Sequence, residues 1–333
     1  MRRTSIVFLC ISMFSFLVAC SDKSSTESAD LETVTFNMSW LPQGSMAGIV
    51  VAIENGYYAE RGLDVRLTRG FGGIRTVNEL DQGMFEFGYA DPLAVILNRR
   101  NGGATRMIGA INQNWPAGIC YIKERHQIST PADLAGMSIG GGQNSPMQVI
   151  LPAWLKRNGL SSDIVTLMQL DPAVISTSVI EAQIDGGECW LGNSLAIYQK
   201  RAKEAGLSIG VLLYSDFNLD IYGSGLATTD ALINEQPAIV AAFVDATYQG
   251  YGYARGHQGE ALEMMLRHFP ILDRSVTAQQ ISETVELMGP VDGVGSLDGT
   301  KVANTLSFLS QAYAVEKAMT ADDIYTTQFL NSK

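Results

Sequence analysis

The chain has 333 residues, with 23 Lys and Arg against 34 Asp and Glu and a formal net charge of −11. An acidic chain without a basic stripe excludes a nucleic-acid binder, and this length exceeds one minimal core and suffices for two lobes. His126, His257 and His268 lack metal-ligand spacing, and neither a Gly-x-Ser-x-Gly elbow nor a Gly-Lys-Ser/Thr phosphate loop occurs, so no metal, cofactor or catalytic set is expected.

Arg2 and Arg3 precede an apolar run, Ile6 to Val18. That run is shorter than the ~20 residues of a spanning helix, and with its charged start and small flanking residues it predicts a secretory signal over residues 1–19. The stretch Leu17-Val18-Ala19-Cys20 resembles a bacterial lipobox, which implies that Cys20 is acylated and anchors the mature chain to a membrane. Residues 20–31 then read as a tether, polar and rich in Ser, with too little apolar surface to order itself. Cys10 leaves with the signal, so Cys120 and Cys189 remain. Export permits a disulfide, but both sit in strand-like apolar contexts and read as buried thiols sooner than as a bridge.

The body alternates short apolar strands with helical stretches, the pattern of an α/β fold with largely parallel sheets. Val34–Met38 reads as a strand, Met46–Glu60 as a helix closed by Gly62, and Leu63–Leu67 as a strand. Phe85–Tyr89 is the next strand, and Asp91-Pro92 opens a helix as N-cap and first-turn proline. Ile108–Ile111 follows. A second unit has strands at Gly118–Lys123, Met137–Gly140, Val165–Leu170, Ile184–Trp190 and Ser208–Tyr214. Its helices run over Met147–Asn158 and up to about Ala205. From Pro237 the chain is mostly helical, at Ala238–Arg255, Glu260–His268, Ala278–Leu287 and Lys301–Tyr313.

Two segments echo each other. Gly83 to Gly88 leads to Asp91, and Ala182 to Gly187 leads to Asn193, each a strand running through small residues into a capped helix. Two lobes presenting matching edges to one cleft would give this pattern, because ligands of α/β folds bind beyond the carboxyl ends of strands, near helix N-termini.

The run Ala47-Gly48 through Ala52-Ile53-Glu54-Asn55-Gly56-Tyr57-Tyr58-Ala59-Glu60-Arg61-Gly62-Leu63-Asp64-Val65 resembles the opening of ABC-importer substrate-binding proteins for nitrate, taurine, alkanesulfonates and thiamin-pyrimidine precursors. Gly83–Gly88, Pro131-Ala132-Asp133-Leu134-Ala135-Gly136, and Ile184-Asp185 ahead of Trp190 stand in matching order. The resemblance implies a type II periplasmic-binding fold with two α/β lobes. Two crossovers, near Asn112–Gly118 and Tyr214–Tyr222, would join them, and the C-terminal helices would pack on lobe one. Lobe one would comprise 32–115 and 220–333, and lobe two 116–219. Partners would be a small-molecule ligand and an ABC permease and ATPase, with the protein itself a monomer. The pyrimidine-precursor branch has an Asn and a ring-contacting His near its start. Here Gln43 and Met46 stand in those places, while Trp40 and Pro42 are retained. The cysteine-rich iron motif of the related fungal pyrimidine synthases is absent.

The candidate ligand contacts lie at strand ends. Trp40 follows the first strand and would stack on a planar or apolar ligand. Gln43, Gly44 and Ser45 open the next helix, as hydrogen-bond donors or as its cap. Tyr89, Ala90 and Asp91 follow the third strand, with Asp91 read first as an N-cap. The glycine-rich turn Gly140–Pro146, with Asn144 and Ser145, offers backbone N–H groups to an anionic group. Glu188 and Trp190 end a second-lobe strand, Glu188 facing a cationic or amide-bearing ligand or solvent. Asn114, Trp115 and Tyr222 sit at the expected crossovers. Tyr248, Tyr251 and Tyr253 read as helix packing or an exposed surface. The expected ligand is a planar or alkyl-bearing organic molecule with a polar or anionic end. The competing readings are a ligand-sensing lipoprotein and an enzyme on the same fold.

Overall fold

The computed structural model describes residues 31–142, 145–289 and 295–330. The expected signal, the lipid site Cys20, the tether up to Asp30 and the candidate Asn144 lie outside the described residues.

The first part of the body runs β1 (Glu32–Asn37), α1 (Ala47–Glu54), β2 (Leu63–Thr68), α2 (Gly73–Asp81), β3 (Phe87–Ala90), α3 (Pro92–Arg100) and β4 (Thr105–Ala110). The middle part runs β5 (Ala117–Ile122), β6 (Ser138–Gly142), α4 (Met147–Arg157), β7 (Thr166–Leu170), α5 (Pro172–Ile180), β8 (Gly186–Trp190), α6 (Ser194–Glu204) and β9 (Ile209–Leu213). The chain returns through β10 (Gly225–Thr229) to α7 (Asp230–Glu235), α8 (Pro237–Gly256), α9 (Gln258–His268), α10 (Arg274–Leu287), α11 (Gly299–Ala312) and α12 (Ala321–Ile324).

These strands form two five-stranded sheets, ordered β2-β1-β3-β10-β4 and β7-β6-β8-β5-β9. In the first, β1 pairs in parallel with β2 and β3, and β10 lies antiparallel between β3 and β4. In the second, β6 pairs in parallel with β7 and β8, and β5 lies antiparallel between β8 and β9. The chain crosses between sheets over residues 111–116 and 214–224. No helix among the described residues is long and apolar enough to cross a membrane.

The structure departs from the sequence reading in several places. The helix read as Met46–Glu60 ends at Glu54, because Gly56 takes a left-handed φ of 77° and turns the chain; a separate 3-10 turn, Ala59–Arg61, precedes Gly62. Helices α2 and α5 and strand β10 were not expected. Cys120 and Cys189 are not free thiols: they form a disulfide between the adjacent antiparallel strands β5 and β8, with Cα atoms 5.7 Å apart.

One face of the first sheet shares an apolar core with α1 and α8, and α9 packs in turn on α1. Phe87 stacks on Phe243 at 3.8 Å, with Phe36 and Tyr58 beside it at 5.8 and 5.4 Å. Burying each such ring is worth about 1.5–3 kcal/mol. Helices α1 and α8 approach closely because both are glycine-lined at the contact. A Cβ on Gly48 would lie 2.2 Å from the Tyr251 ring, and one on Gly250 would lie 2.1 Å from the Gly48 carbonyl. The C-terminal helices expected on the first lobe do pack there, but α10 also reaches α6, and α11 also reaches α4, both on the second sheet.

Candidate ligand-binding site

The parallel strands β1, β3, β6 and β8 end at Asn37, Ala90, Gly142 and Trp190, and the candidate residues follow from these ends. The most connected group centres on Glu188. Residues two apart on a strand share a face, so Glu188 and Trp190 point the same way. The Trp190 indole donates to Glu188 Oε1 at 3.0 Å, the Ser145 hydroxyl donates to the same oxygen, and the Gly142 N–H donates to Oε2 at 3.4 Å. Trp115 lies against Trp190, ring centroids 5.6 Å apart. Thus Trp115, Ser145, Glu188 and Trp190 form one cluster at the end of β8, the middle strand of the second sheet. Burial pushes the Glu188 carboxyl above the usual carboxylate range, and its hydroxyl, N–H and indole donors pull it back only in part.

On the first sheet, Asp91 caps α3 and accepts the Ala94 N–H at 2.9 Å. Its surface is only partly covered, yet protein surrounds it closely enough that burial holds its carboxyl up as well, against the pull of the Ala94 and Leu93 N–H groups. The two acids share a neighbour. Tyr313, just past α11, has its phenol pushed up by burial and further by both Asp91 and Glu188, and its hydroxyl donates to the Pro146 carbonyl at 3.4 Å. Buried Tyr325 also feels Asp91, and its ring lies 5.8 Å from Tyr222. Tyr313 thus sits between the halves: α11, which it follows, packs on both α3 and α4, and its hydroxyl reaches Pro146 just ahead of α4.

The remaining candidates are spread around it. Trp40 is 39% exposed, and its carbonyl accepts the Gly70 N–H at 3.1 Å. Ser45 is buried near Gly192, in the loop after β8, and Gln43 donates to the Ser45 hydroxyl at 3.0 Å. The Gly44 N–H is taken by Gln280 at 2.9 Å. Tyr89 and Ala90 are buried; the Tyr89 hydroxyl lies beside Asn112 and Ser224 without closing a well-formed hydrogen bond to either. Tyr222 is buried, its hydroxyl accepting the Asp298 N–H at 2.6 Å. Asn114 is exposed and accepts from Lys301 at 2.6 Å, where Lys301 also pairs with Asp220. Arg69 and Arg75, which flank the loop after β2, stack on the exposed Phe71 ring at 4.3 and 4.5 Å, and Arg75 pairs with Glu79.

Tyr313, Tyr325, Gln280 and Glu283 were not singled out from sequence. They belong to helical stretches with no motif and meet the strand ends only through the fold. Of the tyrosines of α8, Tyr251 is buried in packing and donates to the Ser45 carbonyl at 2.7 Å, while the Tyr253 hydroxyl bonds to Glu260 at the surface.

Over residues 43–261 the chain matches the family model described as NMT1/THI5 like. The chain belongs to this family. It is 24% identical over 340 residues to the formylaminopyrimidine-binding protein of Halalkalibacterium halodurans, covering 98% of this chain and 99% of that one. The riboflavin-binding protein RibY of Chloroflexus aurantiacus is 24% identical, with 99% of each chain covered. Among solved structures, the periplasmic aliphatic sulphonate binding protein SsuA of Escherichia coli superposes with a TM-score of 0.71 at 17% identity, covering 91% of this chain and 94% of that one. The desulfurization enzyme DszB shares the fold, with a TM-score of 0.62 at 17% identity over 90% of this chain and 98% of that one. The fold is thus that of periplasmic binding proteins, and relatives of this chain are mostly binding proteins.

Proposed function

We propose that this protein is an exported solute-binding protein, anchored through Cys20, that captures one small organic molecule between its two sheets and delivers it to an ABC importer. The lobes are residues 32–115 with 220–333, and residues 116–219, hinged at the two crossings. Contacts from both lobes favour the closed form by differential affinity.

The observation that carries this reading is the cluster of Trp115, Ser145, Glu188 and Trp190 at the end of β8, together with Tyr313, which follows α11 and reaches the Pro146 carbonyl ahead of α4. Aromatic walls suit a ring. A buried carboxyl whose described partners are an indole, a hydroxyl and a backbone N–H suits a ligand edge that donates hydrogen bonds. The relatives named for formylaminopyrimidine and riboflavin support ring ligands with such edges. An anionic end of the ligand would sit at the glycine-rich turn before α4. Nitrate fits less well, since Arg69 and Arg75 are engaged with Phe71.

The test is a thermal-shift and titration series with riboflavin, formylaminopyrimidine, taurine, an alkanesulfonate and nitrate. A ring compound is expected to stabilise the protein most. Strong stabilisation by nitrate, with none from the organic set, overturns the ligand class. Turnover of any bound compound would make the protein an enzyme.

A further inference from the structure

Strand β6 ends in Gly140, Gly141 and Gly142. It pairs in parallel with β8, Gly140 beside Gly187, so the register sets Gly141 beside Glu188 on one face of the sheet. A Cβ on Gly141 would lie 2.3 Å from Met147 Cε and 3.2 Å from Gln148 Nε2. With no side chain there, the first turn of α4 settles onto the strand and lays the Gln148 amide over Gly141, on the strand adjacent to Glu188. The same turn carries Ser145, whose carbonyl accepts the Gln148 N–H at 3.2 Å and whose hydroxyl donates to Glu188. Gln148 Nε2 is buried and has no hydrogen-bond partner among the described residues. Buried donors are nearly always paired, and one without a partner in its own chain is a donor for something else. Glu188 has the opposite need. Its Oε1 already accepts two donors, the Ser145 hydroxyl and the Trp190 indole, while its Oε2 accepts only the Gly142 N–H, at 3.4 Å. A carboxylate has about four lone-pair sites, so Oε2 has room for a further donor.

We infer that Gln148 is a ligand contact and that, with Glu188, it selects a ring whose edge carries a hydrogen-bond donor next to an acceptor, as in a lactam, an imide or an aminopyrimidine. The inference rests on the ring-binding role proposed above and adds the residue that reads the acceptor. Glu188 Oε2 takes the ligand's N–H, and Gln148 Nε2 donates to the neighbouring carbonyl oxygen or ring nitrogen. Two contacts of opposite sense side by side discriminate more than either alone. A ring edge with two donors leaves the Gln148 amide unpaired, and one with two acceptors sets an oxygen or nitrogen against the Glu188 carboxyl. An alkanesulfonate offers no donor to Glu188 and leaves it unpaired in the same way.

The experiment uses the full chain as wild type, Gln148→Met and Gln148→Glu. Methionine keeps the length of the side chain and removes the donor; glutamate keeps its shape and puts an acceptor there. Melting is first followed with no compound added. An amide without a protein partner holds nothing in the fold, so Gln148→Met should melt within about 2 °C of wild type, or above it. Riboflavin, whose ring carries an imide, and formylaminopyrimidine, with an amino group beside a ring nitrogen, are then titrated by calorimetry. Whichever binds the wild type should bind both variants at least about tenfold more weakly. A Gln148→Met melting temperature lowered beyond that margin would assign the amide to the fold and overturn the inference. Unchanged affinity in either variant would overturn it too. Failure of both compounds to bind the wild type is a separate result: it strikes the ring-binding role itself, and this inference with it.

Discussion

Trp190 donates its indole N–H to Glu188, two residues earlier on the same face of β8, at 3.0 Å. The pair fixes the indole plane and presents the carboxyl beside it. Replacing Glu188 with Gln keeps an acceptor but removes the option of a full negative charge. Hydrogen bonds to charged groups contribute about 1.5–3 kcal/mol, so affinity for whichever of riboflavin or formylaminopyrimidine binds should fall at least about tenfold. The fold should lose under about 1 kcal/mol. Calorimetry with thermal melting checks this, and unchanged affinity would make Glu188 a purely structural acceptor.

Trp40 is expected to touch the ligand from the first-sheet side. It is 39% exposed, so little of the core depends on it. Trp40→Ala should weaken ring-ligand binding by about 1–3 kcal/mol while leaving the melting temperature nearly unchanged. A large drop in melting temperature with intact affinity would assign Trp40 to packing.

Glu283 gives the molecule a pH dependence. Burial pushes its carboxyl up to about 7, with Glu286 adding to the shift and the Gly192 N–H and Gln279 opposing it. The folded form therefore holds a proton that the unfolded chain releases at an ordinary carboxylate pKa. The resulting stability is fully present below about pH 4.5 and is lost as pH rises to about 7, at no more than about 1.4 kcal/mol per unit. Glu283→Gln should accordingly be more stable than wild type at pH 8, by about 1–2 kcal/mol, with the gap closing near pH 5. Denaturant melts at both pH values measure it; a gap that does not change with pH would remove Glu283 as the source.

The Cys120–Cys189 disulfide spans 69 residues of sequence. Closing a loop of that size constrains the unfolded chain by about 4 kcal/mol in the chain-entropy view. Reduction, or replacement of both cysteines with Ser, should lower stability by about 2–5 kcal/mol. It should also weaken ligand binding, because Cys189 lies between Glu188 and Trp190 on β8. Equal stability with and without reductant would contradict the first part, and unchanged affinity in the reduced protein the second.

Cys20→Ala is expected to release the protein from membranes, and the wild type should carry the mass of a lipid. A variant that stays membrane-bound, with no lipid on the wild type, would refute the anchor.

Strands β1 to β9 were legible because apolar runs bounded by turn residues leave little choice, and Asp91-Pro92 announced the cap of α3 by chemistry alone. Other elements were not. Helix α2 starts at Gly72-Gly73 and carries Arg75, Thr76 and Asn78 among its few apolar residues, and α5 carries polar and β-branched residues without a clear stripe. The strand β10, Gly-Leu-Ala-Thr-Thr, has no strong alternation and owes its place to the neighbours on both sides. Of the candidate site, the part at strand ends, Glu188 and Trp190, was open to a reading of the sequence. It was hidden where side chains arrive from distant helices: Tyr313 lies far along the chain from Asp91, and Gln280 is 236 residues from Gly44. The disulfide was hidden for the same reason, since its geometry depends on β5 and β8 being neighbours.

The position of β10 governs the order in which the molecule can be completed. The second sheet is drawn wholly from residues 117–213, so it can assemble as soon as that stretch exists. The first sheet cannot. Strand β4 pairs along its length with β10, which is made only after the whole of the second sheet. Until then β3 offers an unpaired edge and β4 has no partner strand, separated by more than a hundred residues of intervening chain from the piece that joins them. A chain interrupted before Gly225 would therefore hold one finished sheet and one divided sheet, and the divided one is where association with other unfinished copies would begin.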